Sequence, residues 1–364
     1  MRSTAAPDVF PEPQQAARRA RAAVHHAALR KRHRRHRRFI TTAAIAAGIA
    51  LAATGCASGD SDTGEDAAPE APESLVLGLV PSSDVDQVVT DGEALADLLS
   101  DELGIPVEVE VTDNYAGLIV AMQADQAQIG MFGPIGMVQA QDEAGAVPVL
   151  QSVRFGGSTY VTQWFTNDPD RFCLDDVVTV TDDDGFDFTF CNGTDASTEG
   201  PMGEDALALV EQDELIAFVD EGSASGYYYP ATQLGELGLD PFDLSGAFFA
   251  GGHPNAVRAV YDGDAVIGTS FNDARGSVVE EANDVGETVT VFAYSTLIPN
   301  DGVAVSGSLS EEWQEMITDA FVTISETEEG AEALYAVYEI DGLVPADLDA
   351  LDAARAVYEN FGDQ

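Results

Sequence analysis

Leu215-Ile216-Ala217-Phe218-Val219 leads through Asp220-Glu221 into Gly222-Ser223-Ala224-Ser225-Gly226-Tyr227, and from there into Tyr228-Tyr229-Pro230-Ala231-Thr232-Gln233-Leu234. The first five residues are an apolar run of strand length. The last seven begin a helical stretch, and between the two lies a turn of small residues. A strand that ends in such a turn before a helix presents free backbone N–H groups and the positive end of the helix dipole, and so favours an anion. Small side chains let an oxyanion approach the backbone, and Ser223 and Ser225 add hydroxyl donors. The competing reading is an N-capping serine turn without a ligand, because serine is common at helix starts.

On the N-terminal side of this stretch, strand and helix signals alternate. Leu75–Val80 reads as a buried strand, and Glu93–Leu103 carries Leu95, Leu98, Leu99 and Leu103 at helical spacing before the stop at Gly104. Residues 107–111 alternate as a strand, Tyr115–Gln126 reads as a helix, and Ile129–Phe132 as a short strand closed by Gly133-Pro134. Such alternation predicts an α/β fold with a parallel sheet. Residues 159–166 form a β-type run suited to carrying the chain from one lobe to a second. Residues 167–212, rich in Asp and Gly, read as an insertion. Beyond the serine turn, a strand ends at Phe248-Phe249-Ala250-Gly251-Gly252-His253, a helix runs from Pro254 to about Asp262, and residues 265–268 form a further strand. Residues 289–293 read as a returning strand, and 310–324, 328–338 and 345–361 as helices. The expected division is residues 74–161 plus 293–364 in lobe 1 and 162–292 in lobe 2.

The N-terminus points to export. A basic stretch ending in Arg37-Arg38 abuts the uncharged, apolar residues 39–55, the layout of a secretory signal. Residues 1–55 are therefore expected to be a signal peptide. Ala53-Thr54-Gly55-Cys56 resembles a bacterial lipobox, which implies lipidation of Cys56 and an extracytoplasmic protein anchored to the cell membrane; a retained signal anchor is the alternative. Residues 57–73 hold small, acidic and Pro residues and read as a disordered acidic tether.

After Cys56 the chain has five basic and 62 acidic residues, a net charge near −57, and no Lys. Such a surface repels itself in dilute buffer. At ~1 M salt the Debye length shrinks to about 3 Å, so the composition suits high salt. It also excludes ordinary nucleic-acid binding, which needs a basic face. The acids are scattered without an Asp-x-Asp-x-Asp-Gly loop or a His/Cys cluster, so neither a metal site nor a cofactor is expected. Outside the cytoplasm Cys173 and Cys191 are expected to form a disulfide closing a hairpin-like segment, residues 175–190.

Several stretches then fall together in one order: Gly78-Leu79-Val80-Pro81, Asp113-Asn114-Tyr115-Ala116, Phe132-Gly133-Pro134, the serine turn, Gly251-Gly252-His253 and Leu297-Ile298-Pro299-Asn300-Asp301. Over about residues 74–325 the chain resembles the phosphate/phosphite/phosphonate-binding proteins of bacterial ABC importers. The resemblance implies a two-lobed periplasmic-binding fold of type II with two interlobe crossings, closing on its ligand by hinge motion. It also implies a monomer that catalyses nothing, captures a small oxyanion and delivers it to permease subunits in the membrane. By position it implies ligand contacts at Tyr115, Phe132, Ser223, Ala224, Ser225, Gly226, His253 and Asp301, with Asp301 as partner for a ligand amine.

Three positions depart from the family pattern. Ala224 replaces the middle hydroxyl residue of the turn, Phe132 replaces a frequent tyrosine, and an expected acid falls on Asn272 with Asp273 beside it. These changes disfavour 2-aminoethylphosphonate and leave smaller anions open, with Tyr160, Tyr227 and Ser82 as candidate replacement donors. None of the five arginines after Cys56 lies in the matched motifs, so hydroxyl and backbone donors are expected to do the binding. The alternatives are a receptor of the same fold for a sulfonate or thiamine precursor, a sensor input, and a Ser-His-Asp hydrolase. The hydrolase is disfavoured because Ala224, not Ser, stands at the apex of the Gly-x-Ser-x-Gly-like spacing.

Overall fold

The computed structural model describes residues 71–361 apart from Asp183. The expected signal segment, the lipidation site Cys56 and nearly all of the acidic tether lie outside the described residues. In chain order the strands are β1 (Leu75–Leu79), β2 (Val107–Val111), β3 (Ile129–Phe132), β4 (Val147–Val153), β5 (Thr159–Tyr160), β6 (Thr162–Thr166), β7 (Val178–Thr181) and β8 (Asp187–Phe190). There follow β9 (Ile216–Phe218), β10 (Ala247–Phe249), β11 (Ile267–Phe271), β12 (Thr290–Tyr294), β13 (Ile298–Pro299), β14 (Gly302–Val305) and β15 (Gly342–Pro345). The longer helices are α1 (Val85–Leu103), α2 (Tyr115–Gln123), α3 (Pro134–Ala144), α4 (Tyr229–Glu236), α5 (His253–Tyr261), α6 (Glu311–Ser325), α7 (Glu328–Tyr338) and α8 (Leu348–Glu359).

Local chemistry sets the ends of these helices. The Asp84 carboxylate accepts from the Gln87 N–H and starts α1 eight residues before the first helical residue expected from the leucine spacing, and Gly104 ends it in the left-handed region. Asn114 caps α2 by accepting from the Gly117 N–H. Gly133-Pro134, read from sequence as the end of a strand, also opens α3, because proline at the first helical position surrenders an N–H that has no intrahelical partner.

Two sheets result. The first has the order β15-β4-β14-β3-β1-β2, with β1 parallel to both β2 and β3, and β14 antiparallel to β3 and β4. Its apolar residues bury against Leu95, Leu99, Trp313, Phe321 and Leu334 of α1, α6 and α7, while Leu118, Met122 and Met137 of α2 and α3 belong to a second apolar cluster. The expected parallel sheet is thus mixed, because the returning strand β14 inserts antiparallel beside β3.

The second sheet has the order β10-β9-β11-β6-β12-β8-β7. β7 and β8 form an antiparallel hairpin within residues 167–212, and β8 joins the sheet beside β12. Cys173 and Cys191 are disulfide-bonded, with Cα atoms 5.5 Å apart.

The chain passes between the sheets twice, through β5 on the way out and β13 on the way back. These two strands pair with each other, Ile298 opposite Tyr160 and Pro299 opposite Thr159. Asn300 fastens the crossings: its side-chain amide donates to the carbonyls of Ser152 at 3.0 Å and Gly157 at 2.8 Å. A further link runs through the C-terminus, where the Phe361 ring packs on Tyr227, Tyr228 and Phe242.

Candidate functional site

The serine turn follows β9. The Asp220 side chain accepts from the Gly222 N–H at 2.8 Å, and its carbonyl accepts from the Ser223 N–H at 3.0 Å. Ser223 stays extended, and its hydroxyl accepts from the Gly226 N–H at 3.1 Å. Ala224–Tyr228 then close one turn of π-helix that runs into α4. The helix therefore begins earlier than the expected start at Tyr228, and wide turns of this kind concentrate at functional sites. Gly226 has no alternative, since a Cβ there would lie 2.4 Å from the Val219 Cβ. The two serines have parted roles: the Ser223 oxygen serves as the cap, whereas the Ser225 hydroxyl is hydrogen-bonded to Tyr160 at the crossing. Both serines are buried. Ala224 packs its methyl among Ile135, Val138 and Tyr228.

His253 is the first residue of α5. Its N–H donates to the Ser82 carbonyl at 3.0 Å, tying the loop after β1 to the second sheet. Nδ1 pairs with the Ser270 hydroxyl at 2.7 Å, and the ring meets Phe271 edge-on at 4.8 Å. Burial, reinforced by the positive charge of Arg154, lowers the imidazole pKa to about 3, so His253 is neutral at ordinary pH.

Tyr115 begins α2. Its backbone N–H donates to the Asp220 carboxylate, and a Cβ on Gly222 would lie 2.5 Å from the Tyr115 Cβ. The serine-turn loop is thus seated directly on the start of α2. Asp301 carries its carboxylate among Tyr115, Tyr160, Tyr338 and Arg154, each of which interacts with it electrostatically. Burial raises the Asp301 carboxyl above its ordinary range and the Arg154 charge opposes that rise. Burial also pushes up the phenols of Tyr115 and Tyr160, so both are protonated donors at neutral pH.

Ser225, Tyr160, Tyr115 and Asp301 therefore approach one another between the sheets and the crossings, with His253 linked to them through the charge of Arg154, while Ser223, Ala224 and Gly226 shape the turn behind Ser225. The Phe132 ring packs in the core of the first lobe, 1% exposed, within the cluster that also holds Tyr115, Met122 and Met137. The acid sought near residue 272 is also unavailable. The Asn272 side-chain oxygen accepts from the Val161 N–H at 3.3 Å, and the Asp273 carboxylate is forked onto Arg275, at 2.9 Å from Nε and 2.7 Å from Nη2. Of the candidate replacement donors, Tyr160 stands at the site, Ser82 contributes a carbonyl, and Tyr227 belongs to an aromatic cluster with Phe218 and Phe249.

The region holds hydroxyl donors, a neutral imidazole, one guanidinium, the Asp301 carboxylate and, already bonded to backbone N–H groups, that of Asp220, a set that suits a small oxyanion. The hydroxyl bonded to His253 belongs to Ser270 rather than to Ser223 or Ser225, so the residues weighed as a Ser-His-Asp triad are not wired as one. Among the described residues no cluster of three or more His, Cys, Asp or Glu side chains is arranged to hold a metal ion.

A model of the family described as "ABC transporter, phosphonate, periplasmic substrate-binding protein" matches residues 77–351. The chain belongs to this family. Among its relatives, the "Phosphate-import protein PhnD" of Mycolicibacterium smegmatis is 25% identical over 291 residues, covering 74% of this chain and 77% of that protein. The "Phosphonates-binding periplasmic protein" of Escherichia coli is 23% identical over 264 residues, covering 72% and 69%. Among solved structures, PhnD1 of Prochlorococcus marinus in complex with methylphosphonate superposes with a TM-score of 0.65 at 14% identity, covering 80% of this chain and 99% of that one. A binding component of an ABC phosphonate transporter from Pseudomonas aeruginosa gives 0.64 at 18% identity, covering 78% and 85%. These likenesses carry the two-lobed type II fold. Family membership makes the protein an extracytoplasmic substrate-binding component of an importer, and its relatives are binding proteins rather than enzymes. Among the described residues no helix is long and apolar enough to cross a membrane.

Three residues that the structure brings to this region were not singled out in the sequence. Arg154, Tyr338 and Ser270 lie outside the quoted motifs, and only the fold brings them together. Arg154, outside the matched motifs, stands close enough to this region for its charge to act on His253, Asp301 and Tyr160. Its signal was compositional: it is one of only five basic residues after Cys56.

Proposed function

We propose that the protein is a lipid-anchored receptor that captures a small phosphorus oxyanion, a phosphonate, phosphite or phosphate, between its lobes and passes it to the permease. The observation that carries this reading is the meeting of Ser225, Tyr160, Tyr115 and Asp301 beside the serine turn, with His253 linked to them through the charge of Arg154. The N–H groups of Ala224 and Ser225 begin a helix and have no carbonyl within it to bond. The relative named for phosphate import and the solved structure holding methylphosphonate support the ligand class. Asp301 is the one carboxylate placed to meet a ligand amine or an acidic ligand O–H. Asp273 is committed to Arg275, which favours compact anions over 2-aminoethylphosphonate.

The test is thermal unfolding in high salt with phosphate, phosphite, methylphosphonate, 2-aminoethylphosphonate and an alkyl sulfonate. A ligand that binds only the folded state at a hundredfold excess over Kd adds about 2.7 kcal/mol of stability. We expect one of the first three to raise the midpoint most. A response to the sulfonate alone, or to none of the five, contradicts the ligand assignment.

A further inference from the structure

Arg154 follows β4 at the outgoing crossing, and its side chain is only 9% exposed. Nη2 donates to Glu339 at 2.6 Å. Glu339 closes α7 in the left-handed region, and its side chain is 42% exposed, so this pairing faces the rim. Nε is the opposite case: it is fully buried and has no hydrogen-bond partner. A buried N–H left unbonded costs free energy, and a guanidinium donor is among the strongest partners an oxyanion can find. The guanidinium carbon lies 5.1 Å from the Phe271 ring centroid and 5.7 Å from that of Phe155, which fixes the plate. Phe271 is the ring that meets His253, so the plate stands beside the imidazole and its charge acts on Asp301 and Tyr160. The other four arginines of the exported chain form ion pairs with Glu214, Glu281, Asp273 and Asp142.

We infer that Arg154 is an anion-binding residue of the cleft, offering its buried Nε–H to the captured oxyanion while Glu339 holds the guanidinium from the rim. The inference rests on the function proposed above. It gives a strongly acidic protein one positive charge at the point of capture, and it assigns selectivity for charged oxyanions to a residue on the hinge itself. Neutral analogues of the same shape lose this contact.

Calorimetric titration of inorganic phosphate and methylphosphonate into wild type, Arg154→Gln, Arg154→Lys, Glu339→Gln and Ser225→Ala tests it. A hydrogen bond to a charged group sets the expected loss at roughly 10- to 100-fold in affinity for Arg154→Gln. Arg154→Lys keeps the charge but loses the planar fork, and is expected to weaken binding by at least about tenfold. Should Arg154→Gln not fold, the Lys variant carries the test. Glu339→Gln separates ligand contact from bracing: if Arg154 binds the anion, this variant keeps or improves affinity, whereas a purely structural ion pair would make the Glu339 and Arg154 variants lose equally. Equal losses, or wild-type affinity in both Arg154 variants while Ser225→Ala is impaired, overturn the assignment and leave the proposed function standing. A folded wild type that takes up neither probe overturns both.

Discussion

At the scale of single residues, His253 illustrates how burial decides chemistry. Its imidazole is kept neutral down to about pH 3 in the fold, against an ordinary value of 6.5. The unfolded chain therefore binds a proton between these limits that the folded chain refuses, and stability falls as pH drops from about 6.5 towards 3. Replacing His253 by Gln removes this contribution, so the stability advantage of wild type over His253→Gln is expected to shrink across that window in paired unfolding curves. A constant difference would show that the ring ionises equally in both states. Ser225, His253 and Asp301 were legible in the sequence because each sits in a local pattern: a small-residue turn, a Gly-Gly strand end, a Pro-Asn-Asp turn. Arg154 was not, because its surroundings depend on the return of the chain from α7, some 185 residues later, and on a ring from the other lobe. Phe132 was placed at the ligand by position alone, while its ring packs over Gly130 and Gly136 in the core, where a Cβ would collide with it.

At the scale of elements, the serine turn is seated on the start of α2, with Gly222 against Tyr115. A methyl at Gly222 would meet the Tyr115 Cβ at 2.5 Å, and the lobes would have to part to admit it. Overpacking of this kind costs about 1–3 kcal/mol. Gly222→Ala is therefore expected to weaken ligand affinity by roughly 5- to 150-fold while each lobe keeps its core. Unchanged affinity in calorimetry would mean that this contact plays no part in closure. The Cys173–Cys191 bond closes a loop with a sequence separation of 18. A loop of that size constrains the unfolded chain by ~3 kcal/mol, so reduction, or a Cys173→Ser/Cys191→Ser variant, is expected to lower the melting temperature by about 6–12 °C. A midpoint indifferent to reductant would contradict a stabilising role. Strands with simple alternation or continuous apolar runs were legible at this scale. Helix α3 and strand β15 were not, the first because Gly-Pro reads equally as a stop and a start, the second because a short edge strand at the end of a helix carries no period of its own.

For the whole molecule, charge dominates. The chain after Cys56 holds 62 acidic residues against five arginines, and each of those arginines pairs with at least one carboxylate. The rest of the acidic surface repels itself and any approaching anion until salt screens it. Association rates for an anionic ligand are expected to rise with salt, the reverse of the usual trend for anion receptors, and stopped-flow rates that fall as salt is added would contradict this. The central claim, an oxyanion held between the serine turn and the crossing, is tested most directly by calorimetric titration of methylphosphonate and phosphate into wild type and Ser225→Ala in high salt. Saturable binding of at least one anion at micromolar or tighter Kd, weakened roughly tenfold or more by loss of the Ser225 hydroxyl, is the predicted result. Binding of equal strength in both proteins would place the anion elsewhere and contradict the account.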